Sequence, residues 1–249
     1  MPSASSDRWL RMVRLLEGLA AARIGDTFNQ YRETGGDDVS REAPAIRRQN
    51  LLRYLAQRQR APVLVAAEAA GWRGARYSGL CLLSERQFAA SPEDPDGYQR
   101  SSNHPRGWAE PSAAVVQGVL REGGWNGRVL LFNVVPSHPA GPTPHSNRRP
   151  THAEAVEGSR FLFALLDIVR PRHVAAIGRV AAGVLGEVPV IRHPSHGGAA
   201  RCRTGLRELL SVWLPPTDPA PGDASRSTSR QPESAIPSRG VVRQASGPE

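Results

Sequence analysis

The sequence predicts an α/β fold of three layers, α/β/α, with a central four-stranded, mainly parallel sheet. Short apolar runs alternate along the chain with longer segments whose apolar residues recur at helical spacing. Such alternation of strands and helices is typical of a parallel sheet that is covered by helices on both faces. The composition is sufficient for a buried core, because 39% of the 249 residues are hydrophobic and 24 more are glycine.

Two helices are predicted in residues 1–60, and we expect both to pack on the domain formed by residues 61–214. Asp7 is expected to cap the first helix. The apolar face of that helix, at helical spacing, comprises Trp9, Leu10, Val13, Leu16 and Leu19. The second helix is expected from about Pro44 to Gln59, since proline is tolerated in a first helical turn.

The strands are predicted from four short apolar runs, at residues 62–68, 128–135, 173–178 and 188–191. A helix is predicted at residues 112–122, between the first two strands. Thr151 and Glu154 match a capping box, in which each side chain satisfies a backbone N–H at a helix start. The next helix should therefore run from there to about Val169, and one helix should follow each of the last two strands.

The charge of the chain is carried by arginine alone. All 32 basic side chains are arginine, against 23 acids, which gives a net charge of +9. Residues 215–249 hold seven prolines and equal numbers of arginines and acids, so they are predicted to be a disordered tail and the net charge belongs to residues 1–214. A basic domain is typical of proteins that bind phosphate polymers. The absence of lysine excludes lysine Schiff-base mechanisms and the Walker phosphate loop.

Cysteine usage and hydropathy predict a protein of the cytoplasm. With Cys81 and Cys202 alone, a four-cysteine zinc or iron–sulfur site is excluded and a disulfide scaffold is not expected. Arginines interrupt the apolar stretch at the N-terminus, which therefore indicates an amphipathic helix and not a signal peptide. No run approaches the roughly 18 apolar residues of a membrane span, so no membrane association is expected.

Three polar loops follow predicted strands, at the edge of a parallel sheet where ligands bind. Residues 68–79 read Glu-Ala-Ala-Gly-Trp-Arg-Gly-Ala-Arg-Tyr-Ser-Gly. Residues 133–150 begin Asn-Val-Val-Pro-Ser-His-Pro and continue to Ser-Asn-Arg-Arg-Pro. Residues 192–198 read Arg-His-Pro-Ser-His-Gly-Gly. Taken singly, each motif also fits an ordinary loop or helix cap. The His-Pro pair, for example, occurs three times in the chain.

In this order and at these strand ends, the three motifs resemble those of the uracil-DNA glycosylase superfamily. That family has a Gly-Glu-Ala-Pro-Gly-like motif after its first strand, an Asn at the end of a central strand and a His-Pro-Ser motif after its last strand. The resemblance extends over residues 62–210 and implies the same three-layer α/β/α fold. It implies hydrolysis of the bond between uracil, or another deaminated base, and the deoxyribose of DNA.

The resemblance also implies roles for individual residues. His193 would donate to the O2 atom of the departing base, and Asn133 would face the N3–H and O4 edge of uracil. Glu68 would position the water, with Glu85 as a second candidate for that role. The base would further contact Ala69, Gly71, Leu82 and Ser195. No cofactor and no metal are implied, and the expected protein is a monomer that binds uracil-containing DNA.

Several residues near these motifs are candidates for DNA contacts. Arg148, Arg149 and Arg192 suit phosphate oxygens, although a solvated rim of salt bridges explains each of them equally well. His196 lies in the loop that relatives press into the groove beside the flipped base. Two glycines follow it here instead of a bulkier apolar wedge. The pair of histidines in this loop has no companion cysteines or carboxylates, so metal ligation is not expected.

The motifs also depart from the family pattern. Ala70 stands where the family has proline, and Leu82 where relatives have a phenylalanine that stacks on the base. Trp72 is either a replacement ring or a core residue.

The first hypothesis is a monofunctional glycosylase. A glycosylase that also nicks the strand usually needs a lysine amine to form an imine, and the chain has no lysine. The alternative is a catalytically weakened, glycosylase-like DNA-binding protein. An unrelated nucleotide-binding module would carry a Gly-rich phosphate loop, which the sequence lacks.

Overall fold

A computed structural model of the chain describes residues 4–90 and 97–215. These residues form four strands, namely β1 (Val63–Ala69), β2 (Val129–Val135), β3 (His173–Ile177) and β4 (Val190–Ile191). The helices are α1 (Ala4–Ala21), α2 (Ala43–Gln57), α3 (Ala75–Ser78), α4 (Pro111–Glu122), α5 (His152–Val169), α6 (Arg179–Leu185) and α7 (Ala199–Trp213). The predicted tail, apart from Pro215, lies outside the described residues. No helix in the described part is long and apolar enough to cross a membrane.

The four strands form one parallel sheet in the order β2-β1-β3-β4. β1 lies at the centre, where Val63 is in register with Val129 of β2 and His173 of β3. β4 is short and pairs with β3 through two residues, Val190 and Ile191. All strands therefore end at the same edge, which we call the carboxyl edge, and begin at the opposite, amino edge.

Helices cover both faces of the sheet, because successive strand residues point to opposite sides. On one face, Leu64 and Ala66 of β1 pack in a core with α1, α2, α5 and α6. On the other face, Val63, Val65 and Ala67 pack with α4 and α7. The predicted three-layer α/β/α fold with a four-stranded parallel sheet is confirmed.

The start of the first helix was predicted too late. α1 begins at Ala4, so Asp7 lies within its first turn and does not cap it. Trp9 and Leu10 are 36% and 51% exposed. The buried face is rotated toward Met12, Leu15, Leu16 and Leu19. This helix has more apolar residues than one face can hold, so its contacts with the rest of the domain determine which of them are buried.

The cap of α5 has the geometry that the sequence predicts. The Glu154 N–H donates to the Thr151 hydroxyl at 3.2 Å, and the Thr151 N–H donates to Glu154 Oε2 at 2.8 Å. Both bonds of a capping box are therefore present. This cap places the start of α5 directly after the second of the three predicted loops.

A buried ion network ties the N-terminal segment to the first loop. The guanidinium of Arg47 is fully buried and pairs with Asp38, whose Oδ1 also accepts from Arg76 at 3.1 Å. Burial lowers the pKa of Arg47 to about 10. The Tyr31 hydroxyl donates to the Gly79 carbonyl at 2.7 Å. Residues 28–50 thus hold the loop after β1 in place from one side.

Candidate active site

A cavity of about 950 Å³ opens at the carboxyl edge of the sheet. It collects residues from all three predicted loops. Of the residues singled out in the sequence, the lining includes Glu68, Ala69, Gly71, Arg148, Arg149, Arg192, His193, Ser195 and His196. Its size and its position beyond the strand ends are those of a ligand site in an open parallel sheet.

His193 is held in one orientation by its own loop. The Ser195 N–H donates to His193 Nδ1 at 3.1 Å, and the Ser195 hydroxyl lies 2.7 Å from the same atom. Because a backbone amide can only donate, Nδ1 is an acceptor and the neutral ring carries its proton on Nε2. Burial, with help from Arg192 and His196, lowers the pKa of His193. The ring is therefore a neutral donor at neutral pH.

Arg192 shapes this loop from within. Its guanidinium donates to the carbonyls of His193 at 2.9 Å and of His196 at 3.4 Å. His196 has a φ of 51°, in the region that favours glycine, and Gly197 follows with a φ of 72°. The arginine bonds offset part of the cost of this turn. In this structure Arg192 braces the His193 loop through two of its N–H groups.

Glu68 lies near the end of β1 and is half-buried on the cavity wall. Burial raises the pKa of its carboxyl above the ordinary value, and the nearby Arg149 opposes this rise. Arg149 is exposed, and its side chain makes no hydrogen bond or salt bridge to the described residues. The pair thus places a carboxyl group on the wall and a guanidinium without a salt bridge at the rim.

A second carboxylate on the wall, Glu110, was missed in the sequence. It stands at the N-cap of α4, and its side chain has no hydrogen bond or salt bridge to the described residues. A Cβ at Gly71 would lie 2.5 Å from its Oε1, and one at Gly74 would come closer still to Oε2. The two glycines therefore make room for the carboxylate. Burial raises the pKa of Glu110 to about 7.

Asn133 does not line the cavity. It lies inside β2, in register with Ala67 and two residues before the strand ends, and is 5% exposed. The Cys81 thiol donates to its Oδ1 at 3.1 Å. Burial raises the pKa of this thiol well above its ordinary value, and Glu110 adds to the rise, so the thiol keeps its proton. Asn133 was also counted with the polar loop of residues 133–150, but it belongs to the strand, which ends at Val135 as predicted.

Leu82 and Glu85 are also outside the cavity. Leu82 packs in the core with α4 and has a φ of 48°. The Glu85 carboxylate accepts from the N–H groups of Ser101 at 2.8 Å, Ser102 at 3.0 Å and Trp108 at 3.2 Å, and from the Ser102 hydroxyl. This carboxylate is buried and organises the segment from 101 to 108, so it is not placed to position a water in the cavity.

The two neighbouring arginines of the second loop differ in what they contact. Arg148 donates to both carboxylate oxygens of Glu154, at 2.6 and 2.7 Å, and to the Asp26 carbonyl at 2.8 Å. This bond holds the pKa of Glu154 at about 2. The guanidinium of Arg148 thus fixes the loop to the helix cap. Arg179, at the start of α6, also lines the cavity and was not singled out in the sequence.

Trp72 lies in an aromatic cluster beside the cavity. Its ring is 5.0 Å from that of Trp108 and 5.1 Å from that of His145, and the Arg73 guanidinium lies over its outer face. Its backbone N–H donates to the Asn147 side chain at 2.9 Å, which joins the first and second loops. Trp72 therefore packs against neighbouring loops and does not line the cavity wall.

Across the described residues, no three His, Cys, Asp or Glu side chains converge in a way that could hold a metal ion. The prediction that the site uses no metal remains a prediction.

A family model described as the uracil DNA glycosylase superfamily matches residues 92–221, a little more than half of the chain. The matched range contains β2, β3 and β4, with Asn133 and His193, and begins after the loop that carries Glu68. A search of curated proteins finds no match.

Proposed function

The chain belongs to the uracil-DNA glycosylase superfamily, and on this premise we propose that it hydrolyses the N-glycosidic bond of uracil, or of another deaminated base, in DNA. The observation that carries the proposal is the neutral His193 on the wall of the cavity at the carboxyl edge. A departing uracil is an anion with charge on N1 and O2. A preorganised donor to that oxygen lowers the barrier by roughly 3–4 kcal/mol.

Two carboxylates support hydrolysis by water. Glu68, whose charged form Arg149 favours, is suited to hold the water and to stabilise the positive charge that develops on the sugar. Glu110, with a pKa of about 7, is suited to take the proton as the water oxygen bonds to C1′. The bond from C1′ to N1 breaks with its electron pair on the base, which a proton then neutralises. No lysine amine is available to form an imine with the sugar, so strand cleavage is not part of the proposal.

DNA is the partner that this family and the charge of the domain indicate. The base must leave the helix to reach a cavity, and contacts to the backbone offset that cost. Arg149 and Arg179 lie at the rim and make no salt bridge to the described residues, so we propose that these two contact phosphates. Arg148 and Arg192 are expected to act indirectly, by holding the loops that carry the site.

Recognition of uracil is proposed for Asn133. A carboxamide presents one donor and one acceptor, which match the O4 and N3–H of uracil and mismatch cytosine. The Cys81 thiol fixes which end of this carboxamide is the oxygen. For the base to reach Asn133, the segment that holds Cys81 and Leu82 must open by a small movement when DNA binds.

The experiment uses labelled single- and double-stranded oligonucleotides that contain uracil, a U·G pair, hypoxanthine or xanthine. After incubation, alkali cleaves the strand at any abasic site. Scission on uracil that is lost in His193→Ala and in Asn133→Ala supports the enzyme. His196→Ala is the matched control for a histidine in the same loop. Scission that survives in His193→Ala would overturn the assigned donor.

One observation favours a second candidate, a glycosylase-like protein that binds DNA with weak excision. Asn133 is buried behind Cys81 and is absent from the cavity lining. If no substrate is cleaved while DNA binding is retained and depends on salt, this second function replaces the first.

A further inference from the structure

A second cavity lies at the amino edge of the sheet, at the end opposite to the candidate active site. Its volume is about 340 Å³. The residues that give it its chemistry are four arginines and two rings, namely Arg60, Arg128, Arg170, Arg172, His173 and Trp213. No acidic side chain is among the described residues that line it.

The sheet itself brings these arginines together. Arg60 precedes β1 by three residues, Arg128 immediately precedes β2 and Arg172 immediately precedes β3. These three strands are neighbours and run parallel. The segments that enter them therefore meet at the amino edge, so residues distant in sequence line one cavity.

Most of this positive charge is not neutralised within the protein. Arg170 lies 3.8 Å from Asp167, and its Nε donates to the Asp167 carbonyl at 3.3 Å. The guanidinium groups of Arg60, Arg128 and Arg172 make no hydrogen bond or salt bridge to the described residues. Like charges gathered around one concave surface repel each other and attract anions.

Among the described residues, a helix end holds one arginine of this cluster by a hydrogen bond. α5 and α7 end near the cavity, and the partial negative charge at a helix C-terminus favours nearby cations. In its closest form, that interaction has the guanidinium donate to the last carbonyls. Arg170 makes such a contact in the last turn of α5. Among the described residues, the other three arginines of the cavity make none.

The cavity also offers a flat aromatic surface. The His173 and Trp213 rings stack with their centroids 4.7 Å apart and their planes 9° apart. Trp213 is partly exposed at the end of α7. Guanidinium groups that bind phosphate, next to an aromatic ring on which a base can stack, are the combination that binds single-stranded nucleic acid.

We propose that this cavity is a second nucleic-acid site, which binds a single strand through its phosphates and through a base stacked on Trp213. A volume at the lower end of ligand cavities takes one nucleotide unit at a time and excludes a duplex. The seven residues of β1 separate the two edges by roughly 20 Å. The stretch of nucleic acid bound in this cavity is therefore different from the stretch that enters the active site.

The test is the binding of a fluorescently labelled, undamaged single-stranded 30-mer by the full chain, measured over a range of salt concentrations. Arg128→Ala/Arg172→Ala should weaken binding at least tenfold at low salt. It should also reduce the slope of log affinity against log salt by about 1.4, since each phosphate contact on a single strand contributes roughly 0.7. Arg14→Ala/Arg160→Ala is the matched control, because it removes two exposed arginines from α1 and α5.

Two further measurements complete the test. Excision of uracil from a trinucleotide should be unchanged in Arg128→Ala/Arg172→Ala, because such a strand is too short to span both edges. A 30-mer affinity equal to that of the native chain would overturn the proposal. If the double variant loses binding of a free mononucleotide but keeps binding of the 30-mer, the cavity is a binding site for a free nucleotide and the proposal also fails. The two binding readouts, with the 30-mer and with the mononucleotide, are informative even if the chain excises no base.

Discussion

The backbone N–H of Ser195 donates to Nδ1 of His193 at 3.1 Å. This contact leaves the ring proton on Nε2 without any need for the ring to be charged. A neutral donor suits a leaving group that becomes an anion, because its hydrogen bond strengthens as negative charge develops. The contact between these two loop residues therefore fixes both the orientation of the imidazole and its tautomer.

His193→Ala should reduce kcat for release of uracil by roughly 10²–10³-fold, the usual effect of removing one preorganised donor. Affinity for an uncleavable oligonucleotide should change little, because the donor acts on charge that forms during the reaction. Single-turnover kinetics and anisotropy measure the two quantities separately. Equal losses in both would show that His193 serves binding and not the chemical step.

The ring of His193 should remain neutral when the pH is lowered from 8 to 6.5. Burial, Arg192 and His196 all lower its pKa below the ordinary value of about 6.5, so the ring is mostly neutral throughout this range and the midpoint of its protonation lies in more acid solution. Nitrogen-15 NMR of the histidine rings distinguishes the neutral tautomer with Nε2–H from the charged ring. A His193 signal of the charged ring at pH 7 would contradict this prediction.

Glu110→Gln should remove the rise in excision rate between pH 6 and 8. The native carboxyl, with a pKa of about 7, is half ionised at neutral pH and accepts a proton better as the pH rises. The variant is isosteric and cannot accept that proton. Glu68→Gln is the matched control, for which the rate should fall while the rise between pH 6 and 8 persists.

Glu110→Gln should also change how the Tm of the protein depends on pH. Because the pKa of Glu110 is higher in the folded chain than the ordinary 4.5, the folded chain holds its proton more tightly. The stabilisation is complete below about pH 4.5 and is lost as the pH rises to about 7. In Glu110→Gln, the Tm should therefore fall less between pH 5 and 8. An unchanged difference in Tm would show that the carboxyl titrates normally.

Gly71→Ala should reduce excision, because its methyl group would lie 2.5 Å from Glu110 Oε1 and force the carboxylate to move. The carboxylate is the far end of a flexible side chain, so the Tm should change little. Gly183→Ala is the matched control, since it places the same methyl group in open space on α6. Thermal denaturation and excision assays compare the two. If both variants behave alike, Gly71 does not make room for Glu110.

Arg148→Ala and Arg149→Ala should separate stability from DNA binding. Arg148→Ala leaves the buried carboxylate of Glu154 unpaired, which costs about 1–3 kcal/mol and lowers the Tm by several degrees. The contact stabilises the fold above about pH 4.5 and is lost as the pH falls toward 2, so the two Tm values should converge in acid. Arg149→Ala should leave the Tm unchanged and weaken salt-dependent DNA binding.

Most of the fold could be predicted from local patterns. β1, β2 and β3 are short apolar runs in the sequence. The cap of α5 is encoded within the four residues that start at Thr151. The first helix could not be oriented, because Trp9 and Leu10 share its apolar character with Met12 and only the packed structure leaves the first two exposed.

The site could be predicted where one loop carries the chemistry, as at His193 and Ser195. Glu110 could not, since it reaches the cavity from a helix start that is 39 residues beyond Gly71 in the sequence. From the sequence alone, Glu68 and Glu85 are both candidates for the carboxylate that positions the water. The structure separates them, because Glu85 accepts four hydrogen bonds from the segment at 101–108.

The shortest strand of the sheet also determines which part of the site opens most easily. The loop with His193 follows β4, which is held to its neighbour through two residues at the border of the sheet. Local opening costs least where few backbone hydrogen bonds must break. Amide hydrogens of residues 190–198 should exchange with solvent far faster than those of β1. Under the proposed function, such opening would let His193 withdraw from a released base while the rest of the fold stays intact.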